Sequence, residues 1–192
     1  MGIFDVFKKG QNTTNQSTGS TASREEKTFT FARLPQNLEE LKALPESALT
    51  DRFATAALTV LALNVYPENP EASFAMIDFL RGPDPMTTFQ KQFLKDRFMD
   101  GKNYLLRSYM EGATVDNNYE PSLPYRITVM SLAHSNDTIG DGYVTLYIQS
   151  AGADSPRGIR LRTKPSTGQW FVNVYDGLLA GIRIPKADDP WA

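Results

Sequence analysis

The chain has 192 residues, a hydrophobic fraction of 41%, a charged fraction of 22% and a formal net charge of −2. These values suit one globular domain with a real core, and they leave no excess of Lys and Arg to hold a nucleic-acid backbone nonspecifically. With no cysteine in the chain, disulfides, thiolate catalysis and cysteine-based zinc sites are excluded, and a reducing cytosol is the expected compartment.

From the N-terminus, Met1 to Lys9 reads as a short amphipathic leader with Ile3, Phe4 and Phe7 on one side. Its apolar start is five residues long and contains Asp5, whereas a secretory core needs roughly 7–15 apolar residues. Val6 stands where an N-myristoylation signal requires Ser or Thr. The leader 1–9 is therefore a candidate contact for a partner or a membrane surface. Residues 10–26 are almost entirely Gly, Ser, Thr, Asn, Gln and charged side chains, too little apolar surface to offset ordering, and read as a flexible polar linker. A single domain is expected over 27–192.

Within it, Thr28-Phe29-Thr30-Phe31 alternates as a short strand. Asn37 and Glu40 form a capping pair for a helix over Leu38–Leu44, which Pro45 ends. Thr50-Asp51 precedes Arg52–Tyr66, apolar on nearly every side and so a helix buried all round. Thr55, Thr59 and Asn64 interrupt that run, which falls short of the ~20 apolar residues that span a bilayer. No transmembrane segment is expected. Asn69-Pro70-Glu71 opens a third helix, with Phe74, Ile77 and Leu80 inward and a stop at Gly82-Pro83. Thr87 and Gln90 open a fourth, with Phe89, Phe93, Leu94 and Phe98 inward and an end near Gly101.

Past Gly101 the period becomes strand-like. Residues 125–129, Tyr143–Ile148, Gly158–Lys164 and Gln169–Tyr175 alternate, and connections carrying Gly, Asn, Asp, Ser and Pro join all four. Short connections between such strands mean antiparallel neighbours. The expected fold class is α+β, with about four helices from the first half packed on a four- to five-stranded antiparallel sheet formed mainly by the second half. The irregular stretch from Lys102 to Pro124 is long for a compact domain and marks a candidate functional loop.

Several stretches carry a family resemblance: FARLP (31–35), ALTDRFATAALTVLAL (48–63), FLRGPDPMT (79–87), RSYMEGATVDNNY (107–119), SAGADSPR (150–157), LRTKPSTGQWFV (161–172) and LLAGIRIPKADDPWA (178–192). Together they resemble a family of small uncharacterised bacterial proteins, a domain of unknown function. The resemblance implies a bacterial, cytoplasmic protein and supplies no catalytic residues.

The side chains themselves exclude the familiar chemistries. The one histidine, His134, lies beside Ser135 and Asp137, but no strained nucleophile elbow accompanies it. The Asn136–Gly142 turn departs from the calcium-loop pattern, and no phosphate-binding glycine motif opens a helix. No catalytic residue, metal or cofactor is assigned. The positive signal is charge geometry: on strand 158–164, Arg160, Arg162 and Lys164 share one face while Ile159 and Leu161 share the other. On strand 169–175, Trp170, Val172 and Val174 form the core face, leaving Phe171 and Tyr175 as candidate surface contacts.

The reading is a non-catalytic cytosolic binding or protein-interaction domain with an anion-accepting surface. Its candidate binding residues are Arg107, Tyr109, Asn117, Tyr119, Asp154, Arg157, Arg160 and Arg162. The partner is another protein or an anionic small molecule, not nucleic acid. The alternative is an enzyme or small-ligand binder with a pocket under the 104–119 loop.

Overall fold

Five strands form one antiparallel sheet in sequential order: β1 (Glu26–Phe31), β2 (Tyr125–Met130), β3 (Tyr143–Ile148), β4 (Arg157–Lys164) and β5 (Gln169–Val174). They belong to a computed structural model that describes residues 24–191. The leader 1–9 and most of the linker 10–26 lie outside the described residues. The last linker residues do not: the Glu25 amide donates to Ser131 Oγ at 3.0 Å, and β1 opens one residue later.

Between β1 and β2 the chain inserts the helical layer: α1 (Leu38–Lys42), α2 (Arg52–Asn64), α3 (Pro70–Arg81) and α4 (Thr88–Phe98). Each starts at the cap its sequence advertises. Asn37, Asp51 and Asn69 accept from backbone amides at 3.0, 2.8 and 3.1 Å, and Thr87 with Gln90 closes a reciprocal capping box. Helices mainly in the first half and strands mainly in the second make the fold α+β.

The core centres on α2, in which every residue from Phe53 to Asn64 is buried. Three of those residues are polar, and each has a partner. Thr59 Oγ1 donates to the Thr55 carbonyl at 2.8 Å, Asn64 Nδ2 to Val60 at 2.9 Å, and Thr55 Oγ1 reaches across to the Trp170 carbonyl at 3.3 Å. On the opposite side Ser73 Oγ of α3 donates to the Ala62 carbonyl at 2.8 Å. Thus α2 is sandwiched between the sheet, whose inner face carries Ile127, Val129, Val144, Leu146, Ile159 and Leu161, and α3, which contributes Met76, Ile77 and Leu80. Among the described residues no helix is long and apolar enough to cross a membrane.

The helical layer also covers the β5 edge. The Trp170 amide donates to the Leu49 carbonyl at 2.8 Å, and Gln169 Nε2 donates to Ala48 at 3.2 Å. Edge groups that would otherwise template another strand are thereby occupied.

Two details depart from the sequence expectation. In α4, Leu94 and Phe98 are buried but Phe89 is 79% exposed. Nine residues at about 100° each place Phe89 half a turn away from Phe98, so one helix face cannot hold both. In β5, Leu161 pairs with Val172 but Arg160 pairs with Val174, so Asn173 is an extra residue in a bulge. The bulge reverses the alternation: Val174 turns outward beside Arg160, and Tyr175 turns in, with its hydroxyl 3.1 Å from Met86 Sδ.

Candidate functional site

The 104–119 loop is built to hold the chain's own C-terminal segment. A 3-10 turn at Arg107–Tyr109 points Tyr109 inward, where its hydroxyl donates to the Leu178 carbonyl at 2.9 Å. Asn117 fixes the next bend: its side chain accepts from the Thr114 amide at 2.8 Å and donates to Gly112 and Glu120 carbonyls at 2.8 and 3.0 Å. This brace holds Asn118 and Tyr119 in the left-handed region, both at φ 56°, a conformation that non-glycine residues adopt only where surroundings enforce it. Tyr119 is then fully buried, stacked on Tyr104 with ring centroids 5.5 Å apart, and its hydroxyl donates to the Arg183 carbonyl at 2.8 Å.

Asp154 and Arg157 act on the same segment. Asp154 pairs with Arg183 at 3.1 Å, and Arg157 donates to the Ala180 and Gly181 carbonyls at 3.1 and 2.9 Å. Four of the eight candidate residues (Tyr109, Tyr119, Asp154 and Arg157) therefore hold residues 178–183. Two more brace the loop itself: Asn117 as above, and Arg107 through Glu120 at 3.5 Å. Side chains with polar heads and flat apolar bodies suit recognition, and here the segment they contact is intramolecular.

Burial pushes the phenols of Tyr109 and Tyr175 well above the usual tyrosine range, and the nearby cations Arg157 and Arg81 offset it only in part. The fold thus favours the neutral phenol. Its stabilising contribution is complete below the unfolded-state value of about 10 and is lost as pH rises beyond it. The denaturation midpoint should accordingly fall between pH 9 and pH 11.5, and the fall should be smaller in Tyr109→Phe. Equal falls in both proteins would show that the Tyr109 hydroxyl is open to water.

Arg160 and Arg162 remain, and β-sheet register explains where they point. Tyr143 lies opposite Arg162, and Thr145 opposite Arg160, on the outer face of the sheet. Both guanidinium groups lean over the Tyr143 ring, with Cζ at 4.3 Å (Arg160) and 5.3 Å (Arg162) from its centroid. Among the described residues neither they nor Lys164 has a carboxylate within ion-pair distance. Arg126 on the same face differs, being paired with Glu111 at 3.4 Å.

A pocket of about 320 Å³ adjoins this cationic row. Arg162 and Lys164 line one side, and Phe171, Pro83 and Pro165 supply apolar wall. Gly82 lets the wall form. It ends α3 at φ 61°, and a Cβ there would overlap the Phe171 ring. Arg81, 4% exposed, closes the pocket by donating to the Asn173 carbonyl at 3.1 Å and the Asp84 carbonyl at 2.7 Å, and it pairs with the Asp84 carboxylate at 2.9 Å.

A second recess of about 390 Å³ runs between residues 108–113 and the outward side chains Arg126, Thr128 and Met130 of β2. It is the counterpart of the pocket expected under the 104–119 loop. Tyr109 and Ser108 on its wall are buried and hydrogen-bonded within the fold. His134 is exposed and bonded to Asp137 at 2.9 Å, while the Ser135 hydroxyl accepts from the Leu132 amide at 2.8 Å. That hydroxyl stabilises its own turn.

Tyr143, Arg81, Gly82 and Asp84 were not legible as site residues. Tyr143 gains its place from the β3–β4 register, and the other three from the return of α3 alongside β5.

Residues 33–186 match the family model described as "Domain of unknown function (DUF6935)". No curated protein and no solved structure matches the chain.

Proposed function

We propose, for a chain that belongs to the DUF6935 family of domains of unknown function, that it is a non-catalytic binding module that accepts an anionic group at Arg160 and Arg162. One observation carries this reading: two guanidinium groups lie over the Tyr143 ring, and among the described residues neither has a carboxylate within ion-pair distance. Each is attracted to the ring face, which holds it in place but leaves its charge unneutralised, and a bound anion supplies the missing counter-charge. The guanidinium fork suits carboxylate or phosphate because it offers two parallel donors. Lys164 continues the row toward the pocket, and the even spacing along β4 keeps all three on one face.

Titration with inorganic phosphate at low ionic strength, followed by NMR, tests it. The Arg160 and Arg162 Nε–H signals and the Tyr143 ring protons should shift saturably, and added sodium chloride should weaken the binding. Arg160→Ser with Arg162→Ser should abolish the saturable shift. The melting midpoint should stay within a few degrees, since outward charges contribute little to stability. Absence of a saturable shift, or an unchanged one in the double variant, overturns the reading.

A further inference from the structure

We infer that the anion held at Arg160 and Arg162 belongs to a small aromatic phosphomonoester, whose phosphate also reaches Lys164 and whose ring lies in the adjoining pocket against Phe171. This inference rests on the anion-binding reading above and deepens it by naming the ligand class.

Charge sets the anionic half. Of the charged groups lining the pocket, Arg81 and Asp84 pair with each other at 2.9 Å, which leaves Arg162 and Lys164 without counter-charge. Two free cations match a dianion, and a phosphomonoester carries about −1.5 to −2 near neutral pH. A monocarboxylate leaves one cation unmatched. Arg160, leaning over Tyr143 just outside, adds a third positive group that draws the phosphate to the mouth rather than the floor.

Shape sets the other half. At about 320 Å³ the pocket lies at the small end of ligand sites, room for one ring system and not for an extended chain. Its apolar wall is formed by flat or rigid groups, Phe171, Pro83 and Pro165. The Phe171 ring is seated on Gly82, where no side chain competes for the space, so its orientation is fixed before a ligand arrives. Fixed aromatic walls favour a planar partner, which stacks or packs edge to face. Arg81 holds the rear by tying Asn173 of β5 to Asp84 after α3.

The test compares phenyl phosphate with inorganic phosphate on the full chain by NMR titration. Phenyl phosphate should bind about 3- to 10-fold more tightly, the gain expected from one aromatic pair. Phe171→Leu should erase that gain while leaving inorganic phosphate binding intact. In the wild-type complex, phenyl protons should show nuclear Overhauser contacts to the Phe171 ring, a readout that does not depend on the variant folding. Equal affinity for the two probes, or contacts elsewhere than Phe171, overturns the aromatic inference and leaves the anion-binding reading standing. Failure of both probes to bind overturns both. Phenyl sulfonate, a monoanion of similar shape, should bind more weakly than phenyl phosphate; equal binding refutes the dianion match.

Discussion

Leu61→Ala should lower the free energy of unfolding by about 2–5 kcal/mol, the range for removing three buried carbons from a packed site. Leu61 is fully buried within α2, the helix with sheet on one side and α3 on the other. Neither neighbour can close the cavity without moving the other. Leu123→Ala is the internal control: Leu123 is 70% exposed, so its loss should cost no more than about 0.5 kcal/mol. Urea unfolding of the two variants beside the parent decides the point. A Leu61→Ala midpoint matching that of Leu123→Ala would place α2 at the periphery.

Arg81→Met should cost about 2–4 kcal/mol, chiefly through acceptors left without donors. The Arg81 guanidinium is almost wholly buried and reaches the Asn173 carbonyl, the Asp84 carbonyl and the Asp84 carboxylate at once. Methionine fills similar space and supplies no N–H group. Arg81→Lys should rescue little, because one ammonium cannot reproduce a planar fork aimed in three directions. Urea unfolding of both variants measures the costs. Loss of the clamp should also loosen the wall next to Phe171, visible as broadening of Phe171 ring signals. A Lys variant as stable as the parent would mean that charge, not the three-way bond geometry, is what the site needs.

The candidate site was legible to the extent that it depends on local alternation. Arg160 and Arg162 share an outer face because neighbouring strand positions alternate, and Ile159 and Leu161 fall inward by the same rule. What they face was not legible. Tyr143 lies seventeen positions before Arg160, across an irregular connection whose length does not set the register, and only the β3–β4 pairing brings them together. The loop residues show the converse. Tyr109, Tyr119 and Arg157 have recognition chemistry, and sequence offers no means of telling an external ligand from residues 178–183, which they contact.

By itself the sequence determined the class of fold and where its helices begin. Caps at Asn37, Asp51, Asn69 and Thr87 lie next to the helices they start, and hairpin turns lie next to the strands they join, so short-range hydrogen bonding and backbone sterics suffice. The burial of α2 was equally plain, because its apolar residues leave no polar face to expose. Tertiary structure alone decided three things. It placed β1 beside β2 across the whole helical layer, inserted Asn173 as a bulge that turned Val174 out and Tyr175 in, and brought Arg81 and Gly82 against β5 to form the pocket. Each joins residues distant in the chain or shifts a register by one. A side-chain period states which residues share a face but not what that face meets, and one inserted residue reverses it.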